Sequence, residues 1–156
     1  MGRLYEVSNI TTANLTAGRT LLYLAFPTAR LNFCHEWGIM VTDNATAFML
    51  EARLQMRTTS ASPGAESGTT KVVKRDEGDS AHSFTVVGAP ASEPSYDASR
   101  FLTPRSGLST LGLEWRAKSP EDRLLLEGGT EWGLTVMTSS FSGTDFLSWM
   151  VIEECG

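Results

Sequence analysis

The chain has 156 residues, 41% of them hydrophobic and 20% charged, with a formal net charge of −5. That length favours one domain, which can bury about two-thirds of its unfolded surface without a disulfide or metal staple. The acidic balance argues against a general nucleic-acid binder, which needs Lys and Arg to displace counterions from phosphates. The apolar run Leu21–Phe26 is too short to cross a bilayer, so neither nucleic acid nor a membrane is expected as a partner.

In chain order, residues 1–8 hold Arg3, Leu4, Tyr5 and Val7 and read as a first strand or as an extended N-terminal arm. Thr11–Arg19 is small and polar, a turn region. Thr20–Phe26 reads as a buried strand closed by Pro27. Leu31–Val41 reads as a second strand, with Gly38 as the site of a bulge. From Thr46 to Arg57, Phe48, Leu50, Ala52, Leu54 and Met56 alternate with Met49, Glu51, Arg53, Gln55 and Arg57. A helix would scatter those apolar residues around its axis, whereas a strand puts them on one side. The segment is therefore read as a strand.

Residues 58–104 change character. Four of the six prolines fall here, among runs of Ser, Ala, Gly and Thr. Lys71–Lys74 and Ser83–Val87 are two short β islands within this long loop. A loop of this length is usually functional, or disordered until bound. Phe101-Leu102 then returns the chain to the core.

In Ser109–Ser140, Leu111, Leu113 and Trp115 alternate with polar or small residues, a period of two. Pro120, with no N–H and a fixed φ, ends that pattern within Ser119-Pro120-Glu121-Asp122. Leu124–Leu126 follows, then the Gly128-Gly129 turn, then Trp132, Leu134 and Val136 on one face. The stretch reads as a three-strand meander. The last segment, Phe146–Ile152, is apolar on both faces. Phe146, Met150 and Ile152 lie on one, and Leu147, Trp149 and Val151 on the other. Such a strand is either central in the fold or covered by another subunit.

The chemical inventory is sparse. Cys34 and Cys155 are read as free thiols of a protein made in a reducing cytoplasm. Cys34, His35 and Glu36 are adjacent, and neighbouring strand residues point to opposite faces, so they do not easily share one ion. Asp76-Glu77-Gly78-Asp79, with His82 nearby, lacks the full calcium-loop pattern and reads as a solvated turn. A small hydrolase built on those four titratable residues is an alternative. Glu121-Asp122-Arg123 reads as a corner pinned by a salt bridge. No phosphate loop, nucleophile elbow or dinucleotide fingerprint occurs. No catalytic, cofactor-binding or metal-binding residue is therefore assigned.

Trp115, Pro120-Glu121-Asp122-Arg123, the apolar segment, Gly128-Gly129 and a final β segment occur in that order. With the opening Met1-Gly2-Arg3-Leu4-Tyr5, and Leu54-Gln55-Met56-Arg57 running into a Ser/Gly/Pro/Thr-rich loop, the chain resembles small structural proteins of tailed bacteriophages, the head decoration or cement proteins. It departs from their pattern at Leu124, where a second proline is expected after the arginine, and in its tail, Glu153-Glu154-Cys155-Gly156.

The expected fold is a single-domain all-β sandwich over 1–156, jelly-roll-like, with one long loop insertion. The resemblance implies a non-enzymatic protein that stabilises the outside of an icosahedral capsid across major capsid protein junctions. It would be made in the bacterial host cytoplasm and would self-associate as a trimer or dimer. The interface candidates are Arg3, Leu4 and Tyr5 at the start, Lys71, Lys74, Arg75 and Phe84 in the loop, and Phe146, Trp149 and Val151 in the last strand. The alternatives are a carbohydrate-binding sandwich displayed on a virion and a tail-associated structural protein.

Overall fold

A computed structural model of the chain describes residues 2–15, 19–42, 48–57, 69–137 and 141–156; for 12–15 and 141–144 it describes the backbone alone. Eleven strands are found among them: β1 (Arg3–Leu15), β2 (Arg19–Ala25), β3 (Leu31–Val41), β4 (Met49–Arg57), β5 (Thr69–Lys74), β6 (Thr85–Gly88), β7 (Phe101–Leu108), β8 (Leu113–Arg116), β9 (Leu124–Leu126), β10 (Glu131–Val136) and β11 (Phe141–Cys155). They form two antiparallel sheets. Sheet A runs β5-β1-β11-β3-β8, with β9 also paired to β3, and sheet B runs β6-β2-β10-β4-β7.

Setting aside β5, β6 and β9, eight strands remain. The first pairs with the last (β1–β11), the second with the seventh (β2–β10), the third with the sixth (β3–β8) and the fourth with the fifth (β4–β7). Rolling such nested pairs into two facing sheets gives the jelly roll. The inward positions fill the space between the sheets. Tyr5 and Val7 of β1, Trp37 and Ile39 of β3, and Met150 and Ile152 of β11 meet Leu22, Leu24, Leu54 and Leu134 from sheet B. This alternation is the one read for β4, whose Leu50, Ala52, Leu54 and Met56 are all buried.

Several expectations are corrected. Of the two readings of the opening residues, the strand holds and the arm does not: β1 lies between β5 and β11, and Tyr5 is fully buried. The strand also runs on through most of the segment read as a turn, as far as Leu15. The β3 bulge falls at His35 rather than Gly38, because Val151 pairs with Glu36 and Ile152 with Cys34. The meander is broken as well. β8 and β9 both pair with β3, while β10 belongs to the other sheet. The Gly128-Gly129 turn makes that crossing beneath the β2–β3 loop. A Cβ on Gly128 would crowd the carbonyls of Pro27, Thr28 and Arg30, and Gly129 takes φ +75.

The long loop is partly sheet. β5 extends sheet A beside β1, and β6 extends sheet B beside β2. Pro104, read as loop, sits in β7, the edge strand of sheet B, where a missing N–H costs no ladder bond. A bulge there puts Thr103 at φ +49, and its Oγ1 accepts the indole N–H of the buried Trp37 at 2.8 Å.

Candidate functional site

The outer face of sheet A carries the most unusual surface. With Tyr5 and Val7 turned into the core, β1 presents Glu6, Ser8 and Ile10 outward. β11 likewise turns Leu147, Trp149 and Val151 to that side, although Val151 is covered within the chain, and β3 presents Glu36, Gly38 and Met40. Ile10 pairs with Leu147 and Leu147 with Met40, so three apolar side chains stand abreast. Ile10 is 55% exposed and Met40 46%. In the next row Trp149 lies over Gly38, where a Cβ would overlap the ring, and its indole N–H donates to Glu36 Oε1 at 3.2 Å. Arg116 holds the other Glu36 oxygen at 3.1 Å.

The apolar surface continues around one end of the sandwich. Gly112 packs against the backbone of Ile39 and Met40, and beside it Leu111 is 81% exposed. Leu108 pairs with Met49 on the edge of sheet B, and both are exposed. Leu111, read as part of an alternating strand, instead lies in a 3₁₀ turn and is exposed.

At the opposite end of the same face Glu153 gathers a polar cluster. The His35 bulge brings its Nε2 to donate to Glu153 Oε2 at 2.7 Å, and Arg123 Nη1 donates to the same oxygen. The Arg123 guanidinium also lies over the Phe33 ring and donates through Nε to Pro120 O. Burial pushes the Glu153 carboxyl up, but the bonds from His35 and Arg123 outweigh it and hold it below the ordinary glutamate range. The corner is thus pinned as expected, although to β11 rather than to its own acids. Cys34 points into the core, where burial pushes its thiol up, and Cys155 is half-buried.

Over the outer face of sheet B, residues 89–100 form a strap. Glu93 accepts from the Thr20 N–H at 2.8 Å and from its hydroxyl. The Tyr96 hydroxyl packs on Gly133, where a Cβ would overlap it, and the Asp97 N–H donates to Met56 O at 3.2 Å. Beneath lie Tyr23 and the Arg57–Glu131 pair, 3.7 Å apart, all withdrawn from water. Burial, then the Glu131 carboxylate, pushes the Tyr23 hydroxyl up. A shallow cleft of about 270 Å³ between Arg53, Glu93, Pro94 and Tyr96 borders the strap.

The predicted interface residues separate into two groups. Tyr5, Phe84, Phe146 and Val151 are buried within the chain, which removes them as contact points. Phe84 plugs the core edge-on against Tyr5, at 5.7 Å between ring centroids. Its neighbour Ser83 donates through N–H (2.9 Å) and hydroxyl to the buried Glu154. Arg3, Leu4 and Trp149 are half-buried, whereas Lys71, Lys74 and Arg75 are exposed. Lys74 Nζ donates to Asp79 O at 2.7 Å, and Arg75 pairs with Glu6 at 3.4 Å. Asp76–Asp79 forms a tight turn, with the Gly78 N–H on Asp76 Oδ1, while His82 turns away to Phe84 O. Among the described residues, no three His, Cys, Asp or Glu side chains come together as metal ligands.

Sequence reasoning passed over Ile10, Met40, Glu114 and Glu153. The outward position of Ile10 follows once Tyr5 and Val7 are placed inside. The partners of Glu153 lie in β3 and beyond the Pro120 corner, and no local pattern links them. Compared with models of protein families and with curated proteins, the chain matches none.

Proposed function

We propose that this chain is a non-enzymatic virion structural protein that decorates the outside of an icosahedral capsid, bound across major capsid protein junctions. The carrying observation is the exposed apolar end of the sandwich, Met49, Leu108 and Leu111, on a rigid jelly-roll frame. Exposed apolar groups clustered on a frame suit docking, because their burial against a partner releases water without reorganising the fold. The order of the Trp115, Pro120 and Gly128-Gly129 motifs supports the bacteriophage reading. Copies joined in an oligomer would hold such a shell more firmly than single ones, since each later contact is intramolecular.

A sugar-binding reading has less support. It needs aromatic rings open on a shallow face, whereas Trp37, Trp115 and Trp132 are buried.

The test is a protein inventory of gradient-purified particles of the virus that encodes the chain. Mass spectrometry is expected to find hundreds of copies per particle, and Leu111→Glu to lower that occupancy without unfolding the free protein. Absence from particles, or only a few copies, overturns the reading.

A further inference from the structure

We propose that two copies of this chain pack face to face across the outer surface of sheet A, about a two-fold axis running along β11. The register of sheet A, the exposure of its outer face and the charges on its rims support this pairing independently of any capsid role.

β11 is the middle strand of the five, with β1 and β3 beside it and β5 and β8 at the rims. One row of outward positions reads Ile10, Leu147, Met40. The next reads Lys71, Ser8, Trp149, Gly38, Glu114. Rotation by half a turn about β11 keeps each row and exchanges its two sides. Leu147 then meets the partner's Leu147, and Trp149 meets the partner's Trp149. Ile10 covers the partner's Met40, and Lys71 faces the partner's Glu114.

The charges agree with this operator and not merely with burial. Lys71 and Glu114 lie on opposite rims of one row, both exposed, and neither has an ion-pair partner among the described residues. The dimer pairs them twice. In the third row Glu6 faces the partner's Glu36, but each carboxylate already holds its own arginine, Arg75 at 3.4 Å and Arg116 at 3.1 Å. That row therefore brings two neutral pairs together. Trp149 stands at the centre, the position where a flat aromatic contributes most to an interface. Gly38 lets the ring lie down on the sheet rather than stand from it, so the face is low enough for a second sheet to approach.

Sheets pack about 10 Å apart with strands about 30° off parallel, so the axis bisects the two β11 strands at about 15° to each. That crossing of the strands moves a rim position about 5 Å along the strand, within reach of a lysine side chain. Five strands and three rows cover about 24 Å by 20 Å, roughly 480 Å² per copy, below the size of stable interfaces and within that of weak, transient ones. The expected dimer is consequently concentration-dependent rather than permanent.

Sedimentation velocity of the free full-length chain, without shells, over a wide concentration range tests this. The expected result is a monomer–dimer equilibrium. Leu147→Glu and Ile10→Glu each leave a folded monomer by circular dichroism; Ile10 is so exposed that its change costs little folding. Lys71→Glu and Glu114→Lys each raise Kd about tenfold or more, the contact occurring twice. The double reversal, Lys71→Glu with Glu114→Lys, restores the parental Kd. A monomer at every concentration, a trimer, a dimer indifferent to Ile10→Glu, or a double reversal no tighter than the single ones overturns the proposal. Particle occupancy is not read in this experiment, so its failure and failure of the capsid reading are separate results.

Discussion

The indole of Trp149 rests on the bare backbone of Gly38, its pairing partner across β11 and β3, and no side chain larger than hydrogen fits between them. Gly38→Ala is expected to lift the ring, break its bond to Glu36 and destabilise the fold by about 1–3 kcal/mol, the usual cost of overpacking. The damage should vanish when Trp149→Ala is added, because the clash then has one member. Urea unfolding of the two single variants and the double variant measures the coupling. Additive effects would show that the ring and the glycine do not constrain each other.

The bond from Trp37 to Thr103 predicts a second result. Trp37 is fully buried, and its N–H has Thr103 Oγ1 as its acceptor. Thr103→Val removes the acceptor at nearly constant volume and should cost about 1–3 kcal/mol, the penalty for a stranded buried donor. Thr103→Ser keeps the oxygen and should recover most of that loss. Equal stability of the Val and Ser variants, by thermal or urea unfolding, contradicts the assignment.

Glu153 predicts an acid dependence. Its folded carboxyl titrates below the ordinary value of 4.5, since burial is outweighed by His35 and Arg123. A depressed carboxyl stabilises the fold above the unfolded pKa, and that share is lost as pH falls from about 4.5 through the folded value. Glu153→Gln should be about 1 kcal/mol less stable at pH 7. It should also show a shallower decline below pH 4.5. Parallel stability curves for the two proteins between pH 7 and pH 3 would place the acid response elsewhere.

The strap over sheet B predicts a change in protease sensitivity. The Tyr96 hydroxyl occupies the space above Gly133 and shares a hydrogen bond of 2.8 Å with Thr20 Oγ1. Tyr96→Ala or Gly133→Ala should loosen 89–100 and speed tryptic cleavage after Arg100 by about tenfold, equivalent to about 1.4 kcal/mol of local opening. Tyr96→Phe removes only the hydroxyl and should lie between. Unchanged cleavage in all three would mean that the strap is held by its other bonds, those of Glu93 and Asp97.

Strand identity was legible in the residues wherever one face is dry. The alternation in β4 follows from a side-chain period of two against a core; the apolar run in β2 reflects burial on both faces, and the two-faced pattern of β11 its place in the middle of sheet A. Leu31–Val41 was legible to the residue, and an all-β sandwich follows from such segments separated by Gly and Pro turns. Pairing was not legible, since hydrogen-bond partners are set by contacts between segments far apart in the chain. That is why β9 leaves the expected meander to join β3, and why the two islands of the long loop close the chain's own sheets. The same reason divides the candidate residues. Tyr5 and Phe84 carry the chemistry of interface anchors, but only the packing of β6 beside β2 turns Phe84 into the core against Tyr5. Lys71 and Glu114 are ordinary charges in the sequence; the order β5-β1-β11-β3-β8 alone puts them on opposite rims of one row. A strand's pattern tells which of its faces is wet, and only the assembled sheet tells what stands beside it there.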